Sequence, residues 1–496
     1  MRRPSVVGAG LGVGLAILAQ GCGRSQDFAS EARGGRALYE RECAVCHGQG
    51  GKGDGPAAYL LFPKPRDFTR AYFKIRSTTS GSLPTDEDLF RTITNGMPGS
   101  AMPSFDWLSE DDRRALVQVV KGFSEAFEKL EPELLPAPPA RPPADATELA
   151  LGAQKYRELG CWKCHGEKGR GDGPSSEGLF DNWKRPIRAN DFTRGIYKGG
   201  GSEEDIYLRF ASGMDGTPMP SYEGTATPVE IWALVRYVKS LAGEKVAIQP
   251  STGRLVAGRT SGSAPASPDD PRWRDVDAFR VPLMLLWQRK EAIEALGVRA
   301  LHDGDTLAIL LTWEDPTPAW SVLRGEEFAD AAAVQFSLAT AASHFAMGST
   351  GAAVNIWHWR ADRQLDLAQR RSLLEVYPAT VTDNYPEALN FTTAADAGNL
   401  AASVRLPSAV QDLNAEGFGT LTLQPAPQQN VTGMGIWKSG EWQVLIRRAL
   451  RSGDRGDVSF SPGRVYPIAF AVWDGDREDR DGQKAVSTWY ELEIAR

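Results

Sequence analysis

Most of the cysteines of this chain stand in two short segments with one shared pattern. RECAVCHGQG (41–50) and GCWKCHG (160–166) together hold four of the five cysteines and two of the five histidines. Each segment contains C-x-x-C-H, the attachment pattern of c-type haem. Two thiols one helical turn apart can reach the two vinyl groups on one porphyrin edge, and the following histidine then lies under the iron. The predicted attachment residues are Cys43, Cys46 and His47 in the first segment and Cys161, Cys164 and His165 in the second.

Three other uses of paired cysteines fit the spacing less well. A zinc ribbon needs two C-x-x-C pairs about 15–20 residues apart, whereas Cys43 and Cys161 are separated by 118 positions. A thioredoxin-like redox pair needs a βαβ pattern, which the surrounding sequence lacks. A disulfide within the motif leaves the histidine unexplained. We therefore predict two covalent haem c groups.

Methionine is the predicted second axial ligand of each haem c. Met102 and Met219 lie 55 and 54 residues after the histidines, in the similar segments MPSF and MPSY. Methionines also fill gaps in hydrophobic cores, but four of the eight methionines fall in these two windows. Met97 and Met214 stand in the same windows and stay as alternatives. His/Met ligation raises the iron potential.

An internal repeat surrounds both motifs. Its paired segments are 36–56 and 154–174 around the cysteines, RDFTR (66–70) and NDFTR (190–194), and NGMPGSAMPSF (95–105) and SGMDGTPMPSY (212–222). Each copy closes on a helical pattern, so the repeat predicts two tandem domains of one fold. We place these domains at 33–125 and 150–243, joined by a proline-rich linker at 126–149.

The remaining sequence changes character. A linker rich in glycine, serine, proline and alanine is expected at 244–272, followed by short strand-like runs at 273–496. Regular short strands between turn residues favour an all-β sandwich or barrel. The predicted fold class is therefore multi-domain: two all-α domains followed by an all-β, sandwich-like domain.

The N-terminus has the layout of a secretory signal. Two arginines precede an uncharged stretch that ends just before Cys22, which predicts a signal peptide at 1–22. Cys22 stands where a bacterial lipoprotein carries its lipid, and a plain secretory signal is the alternative. We expect a protein on the periplasmic side of a bacterial membrane, lipid-anchored at Cys22 or otherwise soluble. The net charge of −7 argues against a nucleic-acid-binding role.

The two repeats resemble class I cytochrome c domains, from the helix ALYERECAVCHG to the closing helix ALVRYVKSL. In that family a proline carbonyl shortly after the motif orients the haem histidine. The resemblance therefore implies that role for Pro56 and Pro174, the prolines of the two GDGP segments. Such contacts set the tautomer and basicity of the ligand.

The C-terminal part resembles the haem b-binding subunit of ethylbenzene dehydrogenase. The similar segments are 330–362, which contains FAMG, and 433–450, which contains IWKSGEW. The resemblance implies a β-sandwich that holds one haem b between a methionine and a lysine, here Met347 and Lys438. Lys438 is the only lysine between Lys290 and Lys484. The competing ligand candidates in the same region are His344, His358 and Met434.

Three haems on one exported chain predict electron transfer. Relatives of the β domain serve molybdopterin catalytic subunits through an iron–sulfur subunit, so the resemblance implies those partners, together with other cytochromes or membrane redox proteins. A multihaem peroxidase or small-molecule reductase is the enzymatic alternative, but it needs an open iron position. A haem-based sensor is a third hypothesis, and the chain shows no signalling domain to support it.

The cysteine pattern yields a test of cofactor content. The purified protein, once denatured, should retain two covalently bound haems, as measured by the pyridine haemochrome spectrum. Replacing Cys161 and Cys164 with alanine should remove one covalent haem and leave the other, because each motif makes its own thioether bonds. A wild-type protein with zinc or with a single covalent haem contradicts the prediction.

Overall fold

The computed structural model describes residues 34–143, 146–242, 254–289, 291–322, 324–339, 347–368, 379 and 408–496. Cys22 and His344 lie outside the described residues, so the predictions made for them stay predictions. Helices occupy the first half of the described chain and strands the second, which is the predicted order.

Each cytochrome-like unit is built from a few helices and long connecting loops. The first contains α1 (Gly35–Glu42), α2 (Ala44–His47), α3 (Asp86–Asn95), α4 (Glu110–Lys121) and α5 (Ala126–Lys129), and the second contains α6 (Ala146–Glu158), α7 (Trp162–His165), α8 (Glu203–Ser212) and α9 (Pro228–Ser240). In the described part of the chain, no helix is both long and apolar enough to cross a bilayer.

In each unit the first helix crosses a later one, α4 or α9, at a glycine. A Cβ at Gly35 would lie 2.9 Å from the carbonyl oxygen of Ala115, and one at Gly152 would lie 2.1 Å from that of Ala233. Only glycine permits so close an approach of two backbones. These crossings bring the cysteine-bearing end of the first helix onto the same core as the closing helix.

The proline-rich segment between the units is packed against both of them. The amide of Leu135 donates to the carbonyl of Ser77, and the indole of Trp232 donates to the carbonyl of Pro139. Leu135 also belongs to the core of the second unit. The predicted linker therefore acts as a strap that helps to fix the two units together.

The β domain contains fourteen strands among its described residues. They are β1 (Leu255–Arg259), β2 (Phe279–Pro282), β3 (Met284–Leu285), β4 (Ala295–His302), β5 (Thr306–Glu314), β6 (Ala331–Ser337), β7 (Val354–Arg360), β8 (Val410–Ala415), β9 (Thr422–Leu423), β10 (Thr432–Lys438), β11 (Glu441–Ala449), β12 (Val465–Trp473), β13 (Ala485–Val486) and β14 (Tyr490–Ile494). One helix, α10 (Ala361–Ala368), follows β7.

Eleven of these strands form one hydrogen-bonded path that folds back on itself. Its order is β10-β11-β5-β4-β1-β14-β12-β6-β7-β8-β9, and β1 is parallel to both of its neighbours. The two halves pack face to face, because Trp359 of β7 meets Trp442 of β11 with ring centroids 5.0 Å apart. The β-rich prediction is confirmed. The predicted linker at 244–272 is wrong over Leu255–Arg259, because these residues form β1 inside the sheet.

A buried ion pair joins the two cytochrome-like units. The guanidinium of Arg76, which has no exposed surface, donates to the carbonyl of Ser212 at 2.7 Å and to the carboxylate of Asp215 at 2.6 Å. Arg91 of the first unit also pairs with Asp205 of the second. The first unit contacts the β domain as well, since the amide of Phe62 donates to Leu286 and its carbonyl accepts from Gln288.

Removing one partner of the buried pair should loosen the junction. Asp215→Ala leaves the Arg76 charge buried without its carboxylate, and breaking such a pair costs about 3–5 kcal/mol. We expect a lower urea midpoint for the unfolding of the cytochrome region, measured by circular dichroism. Glu110→Ala is the matched control, because its pair with Arg114 is exposed and surface pairs contribute little. Equal midpoints for the two variants contradict the assignment.

Candidate haem-binding sites

The two cysteine motifs lie on single helical turns. The amide of His47 donates to the carbonyl of Cys43 at 2.9 Å, and that of His165 donates to Cys161 at 3.0 Å. The first cysteine of each motif is the N-cap of a short helix, α2 or α7, and the second cysteine and the histidine lie within that helix. The structure thus brings together the residues that the sequence predicts to attach haem c.

Each histidine is oriented by a carbonyl and an aromatic ring. Nδ1 of His47 lies 2.9 Å from the carbonyl oxygen of Arg66, and Nδ1 of His165 lies 2.9 Å from that of Asn190. Phe68 stacks on the first imidazole with centroids 4.4 Å apart, and the second unit repeats this stack. When Nδ1–H donates to a carbonyl, Nε2 keeps its lone pair for a metal. Burial lowers the pKa of His47 to about 4, so the ring is neutral near pH 7.

The carbonyl partner is not the predicted one. Pro56 and Pro174 are exposed, and the acceptors come from the RDFTR and NDFTR segments instead. The GDGP turns serve a different purpose, because a Cβ at Gly55 or Gly173 would lie 2.4 or 2.3 Å from a carbonyl oxygen of α2 or α7. The glycines let the chain pass closely over the cysteine helix. The sequence repeat includes the two DFTR segments, but only the fold shows that their carbonyls orient the histidines.

The predicted methionine ligands lie in matching loops. The amide of Met97 donates to the carbonyl of Met102 at 3.0 Å, and Met214 donates to Met219 at 3.1 Å. Met102 packs on the same core as Cys43. Met219 packs on the same core as Cys161 and lines a cavity with it, and Met214 lines that cavity too. Ligation by Met102 and Met219 therefore stays a prediction that this packing supports.

The cavity of the second unit is strongly positive. It measures about 340 Å³ and is bounded by Cys161, Cys164 and His165. Its described lining includes no carboxylate but five basic side chains, which are Lys74, Lys163, Arg188, Lys198 and Arg209. Burial lowers the pKa of Lys198 to about 8 and that of Lys74 well below its usual range. Buried cations need anionic partners, and the two propionates of a haem would supply them, so the residues fit this cofactor.

A second potential ligand set lies in the β domain. Nζ of Lys484 is 4.0 Å from Sδ of Met347, and it sits 4.8 Å above the ring of Trp473. Met347 has φ 72°, which is uncommon for a residue other than glycine, and its amide donates to the side chain of Gln335. Burial lowers the pKa of Lys484 to about 8, which brings the neutral amine, the form that binds a metal, much closer to pH 7 than in an exposed lysine.

The surroundings of this pair are suited to a flat apolar group. All seven residues of β6 are buried, since one face joins the main core and the other belongs to a cluster with Met347 and Trp473. Ala331 and Ala333 have small side chains that project little from that second face. The ring of His358 lies 4.8 Å from that of Trp473, and its buried Nε2 has no hydrogen-bond partner among the described residues. An unpartnered polar atom beside an apolar cluster fits a site for a haem.

Lys438 is not part of this site. It is exposed at the end of β10, opposite Glu441 in a hairpin, and Met434 on the same strand is also exposed. The structure therefore replaces Lys438 with Lys484 as the lysine beside Met347. Sequence reasoning missed Lys484 because it judged the lysine by its neighbours in sequence. Pairing of β12, β13 and β3 carries the distant segment to the site.

The site of the first cytochrome unit adjoins the site of the β domain. Cys46 and Ala471 both pack on one cluster, which joins Leu286 and Val486 of the β domain to side chains of the first cytochrome unit. Ala471 also packs on the cluster that contains Met347. Val486 lies two residues after Lys484. The two candidate haem sites thus share a layer of apolar side chains across the domain boundary.

Fold and sites together define a tandem cytochrome c protein with an additional β-rich domain. Family models match the same three regions: cytochrome c oxidase, cbb3-type, subunit III over residues 30–118, cytochrome c over 149–242, and ethylbenzene dehydrogenase over 270–485. The order of the matched regions along the chain is therefore cytochrome c, cytochrome c and ethylbenzene dehydrogenase. This domain content confirms the predicted resemblance.

Three relatives are similar to this chain over about half of its length. The chain is 27% identical to a putative respiratory nitrate reductase heme subunit of Haloferax mediterranei, over 54% of this chain and 82% of the relative. It is 27% identical to the gamma subunit of chlorate reductase of Ideonella dechloratans, over 47% and 81%. It is 28% identical to the gamma subunit of dimethylsulfide dehydrogenase of Rhodovulum sulfidophilum, over 45% and 72%. The prediction of a multihaem electron-transfer protein, rather than a catalytic subunit, is confirmed.

A charge change in the positive cavity should alter one haem potential. Lys74→Met removes a cation that the first cytochrome domain contributes to the cavity of the second, which should stabilise the ferric state there. A change on the order of 1 kcal/mol corresponds to about 40 mV for one electron. Redox titration followed by absorbance should show one haem c midpoint lowered by this amount. Lys168→Met, at an exposed lysine of the second domain, is the control, and an equal shift there contradicts the prediction.

Proposed function

We propose that this chain carries two haem c and one haem b and transfers electrons for a periplasmic molybdoenzyme complex. The observation that carries the haem b assignment is the convergence of Met347 and Lys484, two residues far apart in sequence, at 4.0 Å in an apolar cluster. The haem c assignment rests on the two cysteine motifs and their oriented histidines.

Met347 and Lys484 are the residues that would hold the iron of haem b. Sδ of Met347 and Nζ of Lys484 lie 4.0 Å apart, so one metal ion could bind both. A thioether has a lone pair available for a metal at any pH, whereas an amine binds a metal only when it is deprotonated. Burial favours the neutral amine of Lys484, so the protein environment prepares the lysine for that role.

The proposed haem c ligands follow the two motifs. The first haem is held by Cys43 and Cys46 with His47 and Met102, and the second by Cys161 and Cys164 with His165 and Met219. Arg66 and Asn190 supply the carbonyls that orient the histidines. With two protein ligands available for each iron, the arrangement favours electron transfer over the peroxidase or reductase alternative.

All three domains are in contact with one another. The first cytochrome domain bonds to the β domain at Phe62 and contributes Lys74 to the cavity of the second, and Arg194 of the second pairs with Glu294 of the β domain. We infer that electrons pass among the three haems within one chain. The bound groups supply one-electron redox chemistry, and the protein fixes their ligands, surroundings and separation.

The relatives support the proposed partners. Chlorate reductase and dimethylsulfide dehydrogenase each have a gamma subunit similar to this chain. We infer a molybdopterin catalytic subunit and an iron–sulfur subunit as partners, with other cytochromes or membrane redox proteins at the far end. Export and lipid attachment at Cys22 belong to the same proposal and place the chain at the periplasmic face of a membrane.

The lysine ligand can be tested with two matched variants of the full chain. Lys484→Arg should abolish lysine ligation, because a guanidinium stays protonated in proteins. The iron of haem b should then become five-coordinate or bind water, with a changed spectrum and new carbon monoxide binding. Lys438→Arg makes the same chemical change at an exposed hairpin and should leave the haem b spectrum unchanged.

The covalent haems provide an internal standard for this comparison. Both variants should keep two haem c per chain, so haem b content is reported relative to them. Met347→Leu should also change the haem b spectrum, because it deletes the thioether while conserving volume. The assignment is wrong if Lys438→Arg alters haem b while Lys484→Arg does not. Absence of haem b from the wild type would contradict the third cofactor altogether.

A further inference from the structure

A cluster of three aspartates lies in the β domain apart from the proposed haem ligands. Asp315 follows β5, Asp330 precedes β6, and Asp474 follows β12. One carboxylate oxygen from each lies within 4.8 Å of the others. The three residues come from separate segments, so the fold itself gathers them.

The cluster is buried and incompletely satisfied. Asp315 is 2% exposed, Asp330 0% and Asp474 8%. Oδ2 of Asp315 is buried and has no hydrogen-bond partner among the described residues. A buried carboxylate oxygen without a partner carries a large desolvation cost, so this atom points to a ligand that the cluster would bind.

Hydrogen bonds at the cluster come from donors that suit ionised carboxylates. Asp330 accepts from the amides of Ala319 and Gly475 and from the indole of Trp442, at 2.7–2.9 Å. Donation to a carboxylate favours its charged form. Three such donors hold this carboxylate beside two others, and a cation bound among the three would offset their mutual repulsion.

The basic side chain whose charge acts on Asp474 is already paired with another carboxylate. Arg289 forms a two-pronged ion pair with Asp479, and its charge acts on Asp474 only at longer range. No salt bridge among the described residues involves Asp315, Asp330 or Asp474 with a basic side chain. The protein therefore concentrates negative charge here without neutralising it.

We propose that Asp315, Asp330 and Asp474 bind one divalent cation and that this cation is calcium. All three ligands are oxygens, and neither histidine nor cysteine belongs to the cluster. Three carboxylates from separate loops suit calcium, which accepts irregular coordination, better than magnesium, which demands near-octahedral geometry. Zinc and the other metals that favour nitrogen or sulfur are disfavoured by the donor set.

The position of the site suggests what the cation does. Asp474 begins the segment 474–484, which contains Asp479 and ends at Lys484. The same segment meets the first cytochrome domain, because Gly482 lies against Leu60. Calcium would anchor the start of this segment to the loops that carry Asp315 and Asp330, and would thereby hold the domain boundary in place.

Calcium binding can be measured directly on the full chain. Protein treated with EGTA and freed of the chelator should take up one calcium ion per chain in equilibrium dialysis, analysed by plasma mass spectrometry. In calorimetry, about 10 mM calcium, above the affinity range of extracellular calcium modules, should raise the Tm of the chelated protein by about 5 °C or more. The same concentration of magnesium should raise it less.

Variants locate the ion within the fold. Asp474→Asn should weaken calcium binding at least about tenfold and remove the response of Tm to calcium. Asp303→Asn is the matched control, because Asp303 accepts from three backbone amides elsewhere in the domain; it should bind calcium normally. The proposal is overturned if the chelated wild type takes up no calcium and its Tm does not change when calcium is added. The carboxylates would then bind only protons. Undiminished binding by Asp474→Asn would also overturn it.

Discussion

The hydrogen bond from Nδ1 of each motif histidine to a backbone carbonyl is the interaction on which both cytochrome domains depend. It links the cysteine helix to a segment 19 residues away in the first domain and 25 residues away in the second. The bond fixes the tautomer and leaves Nε2 free, and the stacked phenylalanine stops the ring from turning. Because the segments must return to the same place, the intervening loop needs glycines where it crosses the cysteine helix. The GDGP turns meet that need.

In the β domain the main feature is a thioether placed beside an amine, those of Met347 and Lys484. A sheet strand buried on one face can only build a core, whereas β6 is buried on both faces. Its second face carries the small side chains of Ala331 and Ala333, which belong to the cluster with Met347. Burial there makes the neutral amine accessible, and the aromatic ring of Trp473 accommodates whatever positive charge remains. The strand therefore contributes both to stability and to the site.

Contacts between the domains are part of the site rather than simple tethers. The cavity of the second cytochrome domain takes Lys74 from the first, and Cys46 of the first packs on a cluster that both domains form. Buried polar contacts such as Arg76 with Asp215 hold this arrangement in register. An electron carrier with several centres needs fixed separations, because transfer between them depends on distance. The packing of the strap across both cytochrome domains contributes to the same rigidity.

Sequence alone determined the covalent chemistry and the order of domains, because those features are local. C-x-x-C-H places thiols and histidine on one turn whatever the rest of the chain does, and a repeat of that motif implies a repeat of the fold. Alternation of apolar residues likewise indicated strands, although it missed β1, whose five residues sit in a segment rich in turn formers. Only the tertiary structure decided the partners that come from far away. The carbonyls of Arg66 and Asn190, not those of the prolines, accept from the histidines, and Lys484, not Lys438, lies beside Met347. Proximity in space sets these contacts, and the fold rather than sequence distance determines that proximity.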